Sequence, residues 1–372
     1  MDLVSARAAV LERGDRTEFV LDEIELKPLE AGEIRVRIQA SGICHTDIAL
    51  KDMVERPCVL GHEGTGTVEA VGPGVESLTV GDCVILGYAS CGECSSCCVG
   101  SLNLCEHNFE LSFSGLRASG GVAALHRDQP LRASIFQQSS FSTRVIAQAR
   151  NAVKVDSDLK PEIRASMTCS VFTGTGLVAR QLHLGPGDSI LIFGAGVVGL
   201  SAVMAASAVG ATSVVVDPIQ ARRTLAEGLG AAETVDATLS DVSTEIARIF
   251  PVGAPAILDT SGVQSAWDMS IKHLGMGGKF TFVTVPKPME QATLPAFELM
   301  KRGASAAAVI QGGATPAEFI PQLVEWYRAG KLPLEKVITT YRFDEINDAF
   351  KHMSEHQVIK PVLIMEELGD VR

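Results

Sequence analysis

A strand, a glycine-rich turn and a helix are predicted in direct succession between residues 189 and 209, and no other stretch restricts the fold as strongly. Residues 189–193 form an apolar run typical of a buried strand. The run leads into Gly194-Ala195-Gly196-Val197-Val198-Gly199, and the apolar residues 200–209 predict a helix. Glycines at these three positions permit a tight turn and let backbone amides approach a pyrophosphate at the helix N-terminus. The stretch therefore predicts a dinucleotide-binding unit.

A second apolar run, residues 213–216, ends in Asp217, which lies 18 residues beyond Gly199. An acidic residue at this point accepts hydrogen bonds from the adenosine ribose hydroxyls and repels a 2′-phosphate. The position therefore favours NAD over NADP, although Arg222 and Arg223 nearby would favour the opposite choice. The alternative is that Asp217 only ends a strand, and the preceding glycine pattern makes the nucleotide interpretation the stronger one.

Strand and helix patterns continue to alternate after this unit. Residues 255–259, 279–283 and 304–310 predict strands, and helices are predicted from residue 263 and over residues 296–302. Alternation of this kind predicts a parallel sheet covered by helices on both faces. Two amphipathic helices, 316–329 and 344–353, and a final strand, 361–365, precede an acidic tail.

The first 90 residues predict a different architecture. Residues 34–38 alternate apolar and charged side chains with a period of two, which is typical of a half-buried strand. Residues 64–74 predict another strand that ends in a turn, and residues 80–86 predict a turn followed by a third strand. Because helical periodicity is nearly absent here, we expect a small barrel-like β domain.

A thiol and an imidazole lie close to glycines within this β-rich part, in Gly42-Ile43-Cys44-His45-Thr46-Asp47 and in Gly61-His62-Glu63-Gly64. These donors suit a soft divalent metal such as zinc. Asp47 and Glu63 lie where outer partners of metal ligands are expected. Two ligands do not define a metal site, so a buried cysteine and a core histidine remain the alternative interpretation.

Five of the nine cysteines lie between Cys91 and Cys105. Cys91, Cys94, Cys97 and Cys105 are separated by two, two and seven residues, and four thiolates at this spacing surround one tetrahedral zinc in a structural site. An iron–sulfur cluster and a redox dithiol are the alternatives, and structural zinc is favoured. Cys98 follows Cys97 directly and cannot easily face the same metal, so we expect it to take no part.

Composition and charge exclude several classes of function. The 372 residues carry a net charge of −12, which disfavours nucleic acid and anionic membranes as partners. No apolar run reaches the length of about 18 residues that a membrane-spanning helix needs. Residues 1–5 lack the basic and apolar regions of a secretory signal, so we expect a cytoplasmic location.

These motifs, in this order, resemble those of the zinc-dependent medium-chain alcohol dehydrogenases, and the resemblance covers nearly the whole chain. The signature Gly61-His62-Glu63-x-x-Gly66-x5-Gly72-x-x-Val75 and the four-cysteine lobe at residues 91–105 carry it. The family has a third catalytic ligand shortly before its nucleotide-binding half, where this chain has Cys169. The resemblance thus implies a catalytic zinc on Cys44, His62 and Cys169 and a structural zinc on the four lobe cysteines.

The same resemblance implies an α/β protein of two domains. A GroES-like, β-rich catalytic domain would comprise residues 1–170 and, because the C-terminal segment folds back onto it, residues 314–372. A Rossmann domain with a doubly wound parallel sheet would occupy residues 171–313 and bind NAD. Besides the glycines and Asp217, the nucleotide-binding positions implied by the family are His45, Thr173, Arg222, Val283 and Lys360.

Within the family, residues 136–141, 151–155 and 359–363 look most like loops of the benzyl, aryl and allylic (geraniol-type) alcohol dehydrogenases. The implied reaction is the reversible oxidation of a primary alcohol to its aldehyde with hydride transfer to NAD, in which Thr46 accepts the hydroxyl proton. Gly87 stands where the family often has an aromatic residue, so we expect a wider substrate pocket with Tyr88 in its wall. Ala49 replaces the histidine that ends the proton relay in many members, so the proton must leave by another route.

Other functions remain open on the sequence alone. A different dehydrogenase of the same superfamily would oxidise a polyol or a formaldehyde adduct. A protein of another class would keep this fold as a catalytically silent nucleotide-binding protein or as a redox or metal sensor. The family resemblance implies a small-molecule alcohol or aldehyde as substrate, and a homodimer or homotetramer formed by edge pairing of the nucleotide-binding sheets.

Overall fold

The computed structural model describes residues 3–12, 18–287 and 291–365, so the acidic tail lies outside the described residues. The chain divides into two compact units, one of residues 1–169, 315–323 and 334–372 and one of residues 170–314 and 324–333. The predicted limits at 170/171 and 313/314 fall within one residue of these divisions. The segment 324–333 differs, because it belongs to the second unit. Among the described residues, no helix is long and apolar enough to cross a membrane.

Eighteen strands and twelve α-helices are present in the described residues. The strands are β1 (Val4–Leu11), β2 (Val20–Leu26), β3 (Glu33–Gly42), β4 (Cys58–Val59), β5 (Gly64–Val71), β6 (Cys83–Leu86), β7 (Ala124–His126), β8 (Gln129–Leu131), β9 (Arg144–Gln148), β10 (Ala152–Lys154), β11 (Ser189–Phe193), β12 (Thr212–Asp217), β13 (Glu233–Asp236), β14 (Ala254–Asp259), β15 (Leu274–Phe282), β16 (Ser305–Ala308), β17 (Ile338–Arg342) and β18 (Lys360–Ile364). The helices are α1 (His45–Met53), α2 (Ser95–Cys98), α3 (Asn108–Phe113), α4 (Pro161–Ser166), α5 (Ser170–Gly176), α6 (Val197–Val209), α7 (Gln220–Gly228), α8 (Val242–Ile249), α9 (Gln264–His273), α10 (Ala296–Arg302), α11 (Pro316–Arg328) and α12 (Ile346–Ser354).

The first unit is built on two sheets. One has the strand order β4-β1-β2-β7-β8, and the other has the order β10-β6-β5-β3-β18-β17 with β9 also paired to β3. Strand β18 pairs antiparallel with β3, placing Val362 opposite Gly42. The last strand of the chain therefore completes a sheet that the first 90 residues begin, and this β-rich domain is discontinuous, as the family resemblance implied.

Helix α1 contradicts the expectation that the first 90 residues contain almost no helix. Its nine residues bury only Asp47 and Leu50, so the apolar periodicity that indicates a helix is weak. The helix instead depends on its first turn, where Cys44 and Asp47 form a capping box. A local polar interaction, invisible to a search for apolar spacing, therefore begins this helix.

The second unit contains a parallel sheet of six strands in the order β13-β12-β11-β14-β15-β16. Strand β11, which comes first among these six strands along the chain, lies in the middle of the sheet, and the chain winds outward from it twice. The central strands β11 and β14 are almost wholly buried, which explains their continuous apolar sequences. Strand β13 was not predicted because only Val235 of its four residues is buried, and its other residues are polar.

The carboxyl ends of the parallel strands meet at one edge of this sheet. Gly194 follows β11, Asp217 ends β12 and Asp259 ends β14. The register aligns Phe193 with Val216 and with Asp259. In open α/β sheets a ligand binds at this edge where the winding changes direction, which here lies between β11 and β14.

Candidate metal and nucleotide sites

A buried carboxylate joins the two segments that carry the first predicted metal ligands. Asp47 is 0% exposed, and its Oδ2 accepts a hydrogen bond from the backbone N–H of Cys44 at 3.0 Å. Its Oδ1 accepts another from the backbone N–H of Gly61 at 3.2 Å. A negative side chain in the first helical turn also interacts favourably with the dipole of α1. Asp47 therefore fixes Cys44 and the loop before His62 relative to each other.

Asp47 also orients the imidazole of His62. Nδ1 of His62 lies 3.0 Å from Asp47 Oδ1, and since the carboxylate accepts, Nδ1 is the donor. Burial lowers the pKa of His62, but the Asp47 carboxylate more than reverses this and raises it well above its ordinary value. The other ring nitrogen, Nε2, is buried and has no hydrogen-bond partner among the described residues. A basic nitrogen left unpaired in a buried position fits a metal ligand.

Cys169 completes a group of ligand atoms around this nitrogen. It lies between α4 and α5, and one ligand atom each from Cys44, His62, Glu63 and Cys169 lie within 4.8 Å of one another. The structure thus brings together the three side chains that the family resemblance assigned to the catalytic zinc. It also adds the Glu63 carboxylate to the same group.

The two thiols influence each other's ionisation. A hydrogen bond with Cys169 holds the pKa of Cys44 well below its usual range, and His62 adds to the effect. The same hydrogen bond, together with burial, raises the pKa of Cys169 well above its usual range. The same contact therefore moves the pKa values of the two thiols in opposite directions, whereas a divalent cation would stabilise both groups as thiolates. This donor set of two sulfurs and one imidazole fits zinc with a fourth coordination position open.

Asp47 is the outer partner of the His62 ring, whereas Glu63, which was also expected to orient a metal ligand, has a different partner. The Glu63 carboxylate instead forms a short ion pair with Lys360, and both side chains are 0% exposed. Burial raises the pKa of Glu63, opposed by the Lys360 charge. Burial alone would lower the pKa of Lys360, but Glu63 and then Cys44 raise it above its ordinary value. The pair is thus a buried ion pair beside the metal ligands.

A contact of Lys360 with the cofactor phosphates stays a prediction, and the side chain has two partners within the first unit. Its ammonium donates to the backbone carbonyl of Ile43 at 3.1 Å as well as to Glu63, and the side chain is fully buried. Gly42 leaves the space that this arrangement needs. A Cβ at Gly42 would lie 2.1 Å from Glu63 Oε2 and 3.0 Å from Lys360 Cε.

Three other predicted residues lie on α1. Oγ1 of Thr46 is 3.7 Å from Sγ of Cys44, and the side chain is half-buried. His45, the first residue of the helix, and Ala49, one turn later, are both exposed. Thr46 therefore lies beside a predicted metal ligand, while the position of the missing relay histidine faces solvent.

Gly87 does not open a pocket, contrary to the expectation from its sequence position. A Cβ there would lie 2.9 Å from the backbone oxygen of Asn151 and 2.9 Å from the ring of Pro316. The glycine is explained by this close packing. Its neighbour Tyr88 is 4% exposed, and burial raises the pKa of its hydroxyl well above its ordinary value.

Two residues near the predicted metal ligands lie in the segment 136–141, for which the sequence indicated a family resemblance but no role for either side chain. The ring of Phe136 stacks on His62 with a centroid distance of 4.5 Å and an angle of 22°. The side chain of Gln138 donates to the carbonyl of His62 and accepts from the backbone N–H of Gly64 at 3.0 Å. In the sequence, the Gln-Gln-Ser-Ser run around Gln138 is typical of a turn, and nothing in it indicates that the side chain holds a distant loop.

The four lobe cysteines form a second group. Cys91, Cys94, Cys97 and Cys105 each offer a sulfur within 4.8 Å of the others. Sγ of Cys91 is 3.8 Å from that of Cys97, and Sγ of Cys94 is 4.0 Å from that of Cys105. Zinc–sulfur bonds of about 2.3 Å in a tetrahedron place sulfurs about 3.8 Å apart. The spacing therefore fits one tetrahedral ion, and an iron–sulfur cluster would need more room for its own atoms.

Backbone N–H groups of the lobe point at these sulfurs. Cys91 Sγ accepts from the amides of Glu93 and Cys94, and Cys94 Sγ accepts from that of Glu106. The amide of Glu106, followed by Cys97, lowers the pKa of Cys94 to about 6. Cys98 is exposed, and its thiol donates to the carbonyl of Glu93, so it lies outside the group as expected.

The glycines in the glycine-rich turn of the second unit differ in how much space surrounds them. A Cβ on Gly199 would lie 1.9 Å from the backbone oxygen of Gly194, so the turn itself needs this glycine. A Cβ on Gly196 would meet nothing within 4 Å, although Gly196 is the N-cap of the 13-residue helix α6. Packing within the protein does not explain Gly196. Open space in front of a helix N-terminus fits the pyrophosphate of a dinucleotide.

Asp217 holds this turn in place. Its Oδ2 accepts a hydrogen bond from the backbone N–H of Ala195 at 2.7 Å, and its Oδ1 accepts one from that of Ile219 at 2.8 Å. Arg223 donates to the carbonyl of Asp217 and to Asp236, so its charge is paired. Arg223, one of the two arginines that would favour a 2′-phosphate, therefore already has its partners within the protein.

Thr173 and Val283 lie in the same unit. Thr173 is in α5 and 8% exposed, and Val283 follows β15, where its N–H donates to the carbonyl of Asp259. The structure thus places Val283 at the sheet edge that carries the glycine turn. The interaction of Arg222, Thr173 or Val283 with a nucleotide stays a prediction.

Comparison with known families agrees with both halves of this description. Residues 30–157 match the family described as "Alcohol dehydrogenase GroES-like domain", and residues 197–328 match "Zinc-binding dehydrogenase". The geraniol dehydrogenase of Castellaniella defragrans is 39% identical over 368 residues, covering 98% of each chain. The S-(hydroxymethyl)glutathione dehydrogenase of Komagataella pastoris is 31% identical over 376 residues, again covering 98% of each.

Solved structures give the same result. An alcohol dehydrogenase zinc-binding domain protein from Burkholderia ambifaria superposes with a TM-score of 0.95 at 35% identity, covering 98% of this chain and 100% of that one. The benzyl alcohol dehydrogenase of Acinetobacter calcoaceticus superposes with a TM-score of 0.92 at 34% identity, with the same coverage. The chain therefore belongs to the zinc-dependent medium-chain alcohol dehydrogenase family.

Proposed function

We propose that the protein oxidises primary aryl or allylic alcohols to aldehydes, reversibly, with NAD as the hydride acceptor. The proposal is carried by the buried Nε2 of His62, which has no hydrogen-bond partner among the described residues, on a side chain that offers a ligand atom within 4.8 Å of those of Cys44 and Cys169. Similarity to enzymes named geraniol dehydrogenase and benzyl alcohol dehydrogenase supports the substrate class.

We assign one catalytic zinc to Cys44, His62 and Cys169 and one structural zinc to Cys91, Cys94, Cys97 and Cys105. A zinc ion with an open position polarises an alcohol oxygen and lowers the pKa of its hydroxyl. Asp47 holds the His62 ring in the tautomer that ligation requires. The Glu63–Lys360 pair adds no net charge beside the metal ligands.

Thr46 is the group we assign to the alcohol proton. Its hydroxyl lies next to Cys44 and reaches the half-exposed side of α1. Because Ala49 has no titratable group and faces solvent, the proton passes from Thr46 to water without a second protein relay. In the second unit, Gly196 and the N-terminus of α6 bind the pyrophosphate of NAD, and Asp217 favours NAD over NADP.

Metal analysis combined with a substrate screen tests the proposal. We expect two zinc ions per chain and NADH formation with benzyl alcohol and geraniol, but much slower formation with sorbitol and with the glutathione adduct of formaldehyde. The Cys44→Ser and Cys97→Ser variants should each lose one zinc, and only the first should keep the wild-type melting temperature. Cys98→Ser is the matched control, because its thiol lies outside both groups. Full zinc loading without turnover of any alcohol would instead indicate a catalytically silent protein.

Asp47→Asn should weaken zinc binding at the catalytic site. An amide at this position donates as well as accepts, so the His62 ring loses both its fixed tautomer and its added basicity. Loss of such an outer partner costs about 10–100-fold in metal affinity or activity. Zinc release to a chelator, measured against time and chelator concentration, reports the affinity directly. Asp52→Asn, on an exposed position of the same helix, should behave as wild type; equal zinc release by both variants would contradict the role of Asp47.

The two glycines of the nucleotide turn should respond differently to alanine. Gly196→Ala should keep the melting temperature and raise the Kd for NADH about tenfold, since an intruding methyl group costs about 1–3 kcal/mol. Gly199→Ala should lower the melting temperature, because its Cβ meets the Gly194 carbonyl. Gly228→Ala, in a helix with open space around it, is the control. If Gly196→Ala binds NADH with wild-type affinity, the assignment of Gly196 to the pyrophosphate site is wrong.

We also propose a homodimer formed through the edge of the parallel sheet. Strand β16 is the last in the sheet order, and three of its four residues are exposed. Phe297 and Met300 of the preceding helix are 65% and 70% exposed. An uncovered strand edge with apolar neighbours favours pairing with another chain.

Ala307→Lys should convert the dimer into a monomer, because a lysine on an edge strand opposes strand pairing. Light scattering after size exclusion gives the mass. Ala232→Lys, exposed next to β13 near the opposite end of the same sheet, should remain dimeric. A monomeric wild-type protein at micromolar concentration would show that this edge is not an interface.

A further inference from the structure

Four rings form a continuous row that begins at the predicted zinc ligand His62. Phe136 stacks on His62 at 4.5 Å, and Phe113 meets Phe136 edge-on with centroids 5.5 Å apart and an angle of 87°. Phe109 then meets Phe113 at 4.8 Å and 70°. Stacked and edge-to-face arrangements at these distances are the favourable geometries for aromatic pairs. We call Phe109, Phe113 and Phe136 the aromatic row.

Exposure rises steadily along this row. Phe136 is 7% exposed, Phe113 is half-buried and Phe109 is 70% exposed. Phe109 and Phe113 lie one turn apart on α3, so the helix presents both rings on one side. The row therefore connects the imidazole of a predicted metal ligand with the surface of the first unit. Burial does not explain a phenylalanine at the exposed end, because most of the Phe109 surface remains in water.

A strained loop fixes the inner end of the row. Phe136 and Gln137 have φ angles of 50° and 57°, and Ser139 has 44°. The left-handed region is unfavourable for side chains with a Cβ, and most of all for a bulky ring. Such strain persists only where the surroundings enforce it, and it is concentrated at functional sites.

Hydrogen bonds fasten this loop on both sides. Gln137 donates to the carbonyls of Leu111 and Leu116 at 3.0 and 2.9 Å, which ties the loop to α3. Gln138 donates to the carbonyl of His62, which ties it to the metal ligand. The loop thus holds the Phe136 ring between His62 and Phe113. The strained backbone of this loop is therefore part of what holds the aromatic rings in a row.

We propose that the aromatic row selects and guides the π-bearing part of the alcohol, so that Phe109 and Phe113 are specificity-determining residues together with Phe136. The inference rests on the proposed oxidation of aryl and allylic alcohols and names the side chains that distinguish them from saturated alcohols. A benzene ring and a cyclohexane ring bury similar apolar areas, but only the benzene ring has a quadrupole that complements neighbouring aromatic faces and edges. Discrimination by this row is therefore a matter of π character rather than of size.

Kinetics with benzyl alcohol and cyclohexylmethanol test the row. Phe113→Leu and Phe109→Leu keep an apolar side chain and remove the ring. We expect each to lower the ratio of kcat/KM for benzyl alcohol to that for cyclohexylmethanol about fivefold, within the 0.5–1.5 kcal/mol that aromatic pairs add. Most of the loss should be in KM. Leu104→Ala, an apolar side chain 55% exposed on the same lobe, should leave the ratio unchanged.

Binding of inert analogues separates this inference from the proposed function. Calorimetry of the zinc-loaded protein with NADH should show tighter binding of benzamide than of cyclohexanecarboxamide, and Phe113→Leu should reduce that preference. If the wild type binds the two amides equally, the aromatic row does not select π-bearing ligands, even if alcohols are oxidised. The same conclusion follows if Phe113→Leu keeps the wild-type preference for benzamide. If the protein prefers benzamide but oxidises no alcohol, the result would support the selective role of the aromatic row and refute the proposed reaction.

Discussion

The buried carboxylate of Asp47 is the interaction on which the catalytic half of the molecule depends. It accepts hydrogen bonds from the backbones of Cys44 and Gly61 and from the ring of His62, and it is fully shielded from water. One side chain thereby begins a helix, joins the Cys44 segment to the loop before His62, and orients the ring of His62, which lies 15 residues along the chain from Asp47. Because three partners share the charge, its burial is stabilised, whereas an isolated buried carboxylate would be strongly unfavourable.

The charged groups around Asp47 influence one another and have to be considered together. Glu63 and Lys360 neutralise each other, and Gly42 has no side chain, so that the pair fits behind the ligands. The contact between Cys44 and Cys169 lowers the pKa of the first thiol and raises that of the second. A divalent cation at this group would balance two thiolates, and Nε2 of His62, which has no partner among the described residues, would supply a third donor. The ion pair behind the ligands therefore lets the metal site be neutral overall.

The sequence predicted features that follow from spacing and missed those that follow from three-dimensional contacts. The parallel sheet, the glycine turn and the cysteine lobe were recognisable because apolar runs and Cys-x-x-Cys spacings are local. The ion pair between Glu63 and Lys360 was not predicted because the two residues lie almost 300 positions apart in the sequence. Gly87 was interpreted as free space, although Asn151 and Pro316 fill it. Helix α1 was missed because a capping interaction, which no apolar period reveals, begins it.

The contrast between Gly196 and Gly199 separates what the protein's own packing requires from what a ligand would require. Both glycines belong to one motif, but only Gly199 is needed by the protein's own backbone contacts. The same distinction applies to the two nitrogens of His62, one paired within the protein and the other without a partner there. In each case internal packing explains one member and leaves the other facing a group that the chain does not supply. A buried base and an open helix N-terminus differ in chemistry, and they respectively match a Lewis-acidic cation and an anionic pyrophosphate.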